Sequence, residues 1–106
     1  MASNGIEKRK APRVDFSCEV QCDKLQRFSL NRITNISISG AWIEALNPPP
    51  AGTLLDLSFY VGPVQIRTEA EVVRVKPGNG MGVVFVNLDP RARQVIEGVI
   101  SLAGSE

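Results

Sequence analysis

The chain has 106 residues, with 12 Lys and Arg against 11 Asp and Glu, a net charge of +1 and no histidine. Its length sets the scale of one domain, and a composition of 43% hydrophobic and 22% charged residues is that of a globular chain rather than a disordered one. Near-neutral charge argues against a general polyanion coat, no apolar run approaches the ~20 residues of a membrane span, and the lack of histidine removes the commonest general base and metal ligand together.

The opening stretch, MASNGIEKRKAPR, has no apolar segment, so no secretory signal is expected. It carries a basic cluster at Lys8, Arg9, Lys10 and Arg13. Pro12 blocks regular helix there and holds Ala11 extended. Residues 1–13 therefore read as a flexible basic tail ahead of a domain spanning 14–103.

Val14, Phe16, Cys18, Val20 and Cys22 alternate with Asp15, Ser17, Glu19 and Gln21, the pattern of a half-buried first strand. Its two cysteines are four residues apart, about 13 Å along a strand, which is too far for a disulfide. They read as small core thiols in a reducing compartment, which places the chain in a cytoplasm. DKLQ (23–26) is a polar connection. A second strand is expected over about 27–34, with Phe28 and Leu30 on one face and a slip at Arg32–Ile33 that suggests a bulge or the strand end.

NISISG then breaks the pattern, and AWIEAL (41–46) resumes it as a third strand. Three consecutive prolines at 48–50 form a turn, since they cannot extend a ladder. Leu55, Leu57, Phe59 and Val61 define a fourth strand. Gly62–Pro63 turns the chain into a fifth, about 65–76, whose alternation slips at Val72–Val73. PGNG is a hairpin turn, and a sixth strand covers about 81–86. The period then changes: Asp89 and Pro90 suit a helix start, and Ala92, Val95, Ile96, Val99 and Ile100 make one apolar stripe. The fold expected is all-β, a small six-stranded antiparallel barrel closed by a C-terminal helix, which leaves few open sheet edges.

Catalytic chemistry finds little support. Serines 37 and 39 lack a nucleophile elbow, the carboxylates are scattered over polar faces, and no glycine-rich loop precedes the helix. No enzyme activity, metal or cofactor is expected. Two constellations remain. Arg9 and Arg13 are planar forks able to grip a phosphate or the O6/N7 edge of guanine, and about 13 Å of extended chain separates them. From charge alone the same cluster reads first as a solubilising tail, since charge runs are usually solvated. Asn35, Ser37 and Gly40 lie in a polar bend whose residues either make local turn bonds or read a base edge.

The pair of motifs, R-x-x-x-R at Arg9 and Arg13 followed by N-x-S-x-x-G at Asn35, Ser37 and Gly40, resembles the signature of the PilZ domain family. GAWIEA, GMGVVFVNLDP and the closing helix strengthen the likeness, which runs over residues 7–103. The resemblance implies a split, PilZ-type barrel and a receptor for the bacterial second messenger cyclic dimeric GMP (c-di-GMP). It assigns Arg9 and Arg13 to guanine edges and phosphates, and Asn35, Ser37 and Gly40 to the other guanine end. Lys8, before the first arginine, bears on whether one ligand or a stacked pair binds. Lys10 and Trp42 are additional candidate contacts, Trp42 otherwise reading as a partly buried barrel residue.

The mechanism implied is ordering of the arm over the barrel, which alters a surface read by an unidentified protein partner in motility, biofilm or pilus function. No DNA, RNA or membrane insertion is expected, and the chain should be a monomer or weak homodimer. Two other readings are a PilZ-like protein-interaction module indifferent to the messenger, and a single-stranded nucleic-acid barrel. The second is disfavoured by an aromatic content of 6%.

Overall fold

In the computed structural model, residues 13–23 and 31–103 are described. The expected tail over 1–12, with Lys8, Arg9 and Lys10, and the expected start of the second strand, with Phe28 and Leu30, lie outside them. Six strands and one helix follow in chain order: β1 (Val14–Cys22), β2 (Arg32–Ile36), β3 (Gly40–Glu44), β4 (Leu54–Val61), β5 (Val64–Lys76), β6 (Gly80–Val86) and α1 (Pro90–Ala103). The strands close into an antiparallel barrel in the order β1-β2-β3-β6-β5-β4.

Apolar alternation decides which face turns inward. Leu55, Leu57 and Phe59 of β4, Ile66, Ala70 and Val72 of β5, and Met81 and Val83 of β6 are all buried, and they share one core with Ile33, Ile36, Ala41 and Ile43. Full burial of each such aliphatic side chain contributes about 1.5–3 kcal/mol. Phe59 and Phe85 stack with centroids 6.4 Å apart. Helix α1 starts where Pro90 suits a first helical position, and the Arg93 amide donates to the Asp89 carbonyl at 2.9 Å. The helix adds Ala92 and Ile96 to the core and packs on β1 and β5.

Three bulges interrupt the ladders. The β1–β2 register shifts between Asp15 and Cys18, the β2–β3 register between Ile33 and Asn35, and the β5–β6 register between Val72 and Arg74. The second and third fall at or beside the slips visible in the sequence. The bulge in β2 has a direct consequence. One extra residue, Thr34, lets Ile33 and Ile36, three apart, both point into the core, so the strand runs on to Ile36 instead of ending at 34. Tight turns use glycines where φ must be positive: Gly62 (φ 59°) and Gly78 (φ 77°).

Candidate functional site

The bend after β2 is built from its own residues. The Ser37 amide donates to the Gly40 carbonyl at 2.8 Å. In return the Ser37 hydroxyl oxygen accepts from the amides of Ser39 (3.1 Å) and Gly40 (3.2 Å) and lies 3.0 Å from the Ser39 hydroxyl. Ser37 is 1% exposed, so this hydroxyl is committed to holding the bend. The Ser39 carbonyl accepts from the Phe85 amide at 2.9 Å, which ties the bend to the end of β6. Gly40 is required by close approach: a Cβ there would overlap the Val83 carbonyl oxygen.

Asn35 takes the opposite role. It sits on β2 opposite Asp15 on one side and Trp42 on the other, and its Oδ1 accepts from Arg13 Nη1 at 2.9 Å. A guanidinium only donates, so the atom facing Arg13 must be the amide oxygen. The Asn35 NH2 group is thereby left for other partners, as are four of the five Arg13 N–H donors. The pair is an all-donor surface, suited to acceptors such as phosphate oxygens or the O6/N7 edge of guanine.

The sequence motifs are thus brought together in part. Arg13 meets Asn35, with Ser37 and Gly40 directly behind as the bend's frame. Arg9, Lys8 and Lys10 lie outside the described residues.

Trp42 is half-buried on the outer face. Its indole lies against the outward slots of Gly80 and Gly82 on β6. A Cβ on Gly80 would stand 2.9 Å from Trp42 Nε1, and one on Gly82 would stand 3.5 Å from Trp42 Cε3. Sequence reasoning read Gly80 as part of a turn and both glycines as part of a family stretch, and gave neither a role against Trp42. The signal was available in the G-M-G spacing, which removes side chains from alternate, same-face positions of a strand.

A groove of about 980 Å³ lies elsewhere on the barrel, lined in part by Gln21, Asp23, Asp56, Ser58, Arg67 and Glu69. Three carboxylates face one guanidinium there, an arrangement that repels anions. Chemistry therefore favours the Arg13–Asn35 face over the roomier groove. Both cysteines are free thiols. Burial is the main cause raising both; it pushes Cys22 up to about 12, with the neighbouring Asp23 charge adding to the effect, while the Arg32 charge partly offsets it at Cys18. Such thiols are inert at neutral pH. Among the described residues no group of His, Cys, Asp or Glu is placed to hold a metal ion, and no helix is long and apolar enough to cross a membrane.

Fold and site together define a small closed β-barrel that carries a donor-rich polar face beside its first strand. The PilZ domain model matches residues 7–101, and the chain belongs to that family, whose domains are receptor or adaptor modules and not, as a rule, enzymes. Among solved structures, the Bacillus subtilis inhibitor of motility (MotI/DgrA) superposes with a TM-score of 0.77 at 20% identity, over 92% of this chain and 53% of that one. The chain therefore spans about half the length of that protein, and the likeness is one of fold. No match was found among curated proteins.

Proposed function

We propose that the protein is a c-di-GMP receptor that acts as an adaptor, binding through Arg9, Arg13 and the Asn35–Gly40 bend. The observation carrying this reading is the 2.9 Å bond between Arg13 and Asn35, which joins the two family motifs at one place on the barrel. A ligand with two phosphates and two guanines offers only acceptors at its phosphates and at each O6/N7 edge, and the pair offers only donors. Asn35 and the two arginines contact the messenger; Ser37 and Gly40 take part through the bend they hold. Lys8 and Lys10 add positive charge near the phosphates, and Trp42 flanks the bound bases.

The adaptor step follows from the position of the arginines immediately ahead of β1. A messenger held by both arginines and by the bend fixes the segment before Val14 against the barrel, at an ordering cost taken from the gross binding energy. The surface so formed is what a protein partner reads. The likeness to an inhibitor of motility supports motility control as the output, and free half-buried thiols fit action in the cytoplasm.

Calorimetric titration with c-di-GMP, against cyclic dimeric AMP and GTP, tests the reading. Saturable binding of c-di-GMP alone, weakened by Arg9→Ala and by Arg13→Ala, is expected. Loss of a charged hydrogen bond typically removes about 1.5–3 kcal/mol. Unchanged binding in the double variant overturns the site assignment.

A further inference from the structure

We infer that the ligand site continues across the outer face of the barrel to Arg74, which grips the far end of the dinucleotide while Trp42 supplies the floor between. This rests on the receptor reading above and extends it to a residue outside both motifs.

Register places the residues in one row. Asn35 pairs with Trp42, Trp42 with Gly82, and Gly82 with Arg74. Three steps between neighbouring strands, each about 4.8 Å, put Arg74 roughly 14 Å from Asn35 along the surface. The row is also one-sided. The point where a Cβ of Gly82 would stand is 3.5 Å from Trp42 Cε3 and 3.6 Å from Arg74 Cβ, so indole and arginine stem leave the same face and cover the Gly82 backbone between them. Gly82 itself adds no side chain between them.

The third bulge aims Arg74. Up to Val72 the register of β5 on β6 would set Val73 opposite Gly82; the inserted residue hands that place to Arg74. Val73 faces outward with or without the bulge and is 51% exposed; it is Arg74 that the unshifted register would set opposite the buried Met81, on the core face. The inserted residue turns that arginine outward, and bulges that re-aim a side chain gather beside functional sites. Among the described residues Arg74 has no hydrogen-bond or ion-pair partner, so its fork is uncommitted.

The division of labour is then chemical. Trp42 rests one face on the glycines and offers the other to a base, whatever its identity. Arg74 donates to O6 and N7 of guanine, or to a phosphate. An adenine at that place presents its N6 amino group, a donor, where guanine has O6, so Arg74 also selects between the two cyclic dinucleotides.

The test is titration of the full chain and its Arg74→Ala, Arg74→Lys, Arg67→Ala and Arg13→Ala variants with c-di-GMP and cyclic dimeric AMP, with thermal midpoints recorded alongside. Arg67 lies on the same strand, outward-facing but at the carboxylate-rich groove, and serves as the charge control. Arg74→Ala should weaken c-di-GMP binding at least tenfold and narrow the preference over cyclic dimeric AMP, with an unchanged midpoint. Arg74→Lys should recover only part of the affinity, because an ammonium cannot bond bidentately. Arg67→Ala should stay within twofold of the parent. If Arg74→Ala binds within twofold while Arg13→Ala loses tenfold or more, the extension to Arg74 is wrong and the receptor reading stands. If the parent chain itself does not bind, both are wrong.

Discussion

Ser37→Ala separates a residue that builds the bend from one that touches the ligand. The substitution removes a single oxygen that accepts from the amides of Ser39 and Gly40. Gly40 is buried, and its N–H would lose that acceptor. A buried orphaned donor costs about 1–3 kcal/mol. Ser39 is exposed, and its amide can turn to water for less than about 1 kcal/mol. The sum is about 2 kcal/mol. For a domain of this length each kcal/mol moves the midpoint by about 4–8 °C, so a fall of roughly 8–16 °C is expected. Scanning calorimetry and urea unfolding, without ligand, measure it. A midpoint within 2 °C of the parent would refute the reasoning and return Ser37 to direct contact with the messenger.

Three further outcomes follow from the same structure. Gly80→Ala should destabilise by about 1–3 kcal/mol and shift the emission of Trp42, since the new Cβ meets the Ile43 carbonyl oxygen at 2.5 Å and Trp42 Nε1 at 2.9 Å. Gly82→Ala makes only ordinary contacts and should change urea stability much less. Ile96→Ala, at a fully buried position of the helix, should cost about 2–5 kcal/mol in urea unfolding, and a loss under 1 kcal/mol would mean that α1 does not belong to the core. Cys22 ionises less readily folded than unfolded, its pKa raised from the usual 9 to about 12. Its contribution to stability is therefore full below pH 9 and fades as pH climbs from about 9 towards 12, because the unfolded thiol ionises first. Urea midpoints from pH 7 to 10.5 should fall less in Cys22→Ala than in the parent.

Much of this architecture could be read from residue order because its signals are local. Strict alternation marked β1 and β4, and the change to helical spacing at Ala92 marked α1. What could not be read depends on pairing. The bulge in β1 is silent in the sequence, since Val14 to Cys22 alternate without fault, and it shows only in the shifted partners of Asp15 and Cys18. Placing β6 between β3 and β5 joins strands far apart in the chain. Only that neighbourhood sets Trp42 on Gly80 and Gly82 and brings Arg74 alongside. Ser37 is ambiguous in the sequence for another reason: a motif gives residue types, and a serine whose oxygen holds a turn looks the same as one that faces a ligand. Arg13 and Asn35 were each named from the sequence, but the bond between them is a contact across 22 residues that only the closed barrel supplies.

The most direct test of the central claim is a two-dimensional NMR titration of the labelled protein with c-di-GMP, following side-chain N–H signals. The account predicts that the Asn35 amide, the Trp42 indole and the Arg13 and Arg74 guanidinium signals move together and saturate at one concentration. Movement confined to residues around Gln21, Ser58 and Arg67, or none at saturating messenger, would contradict it.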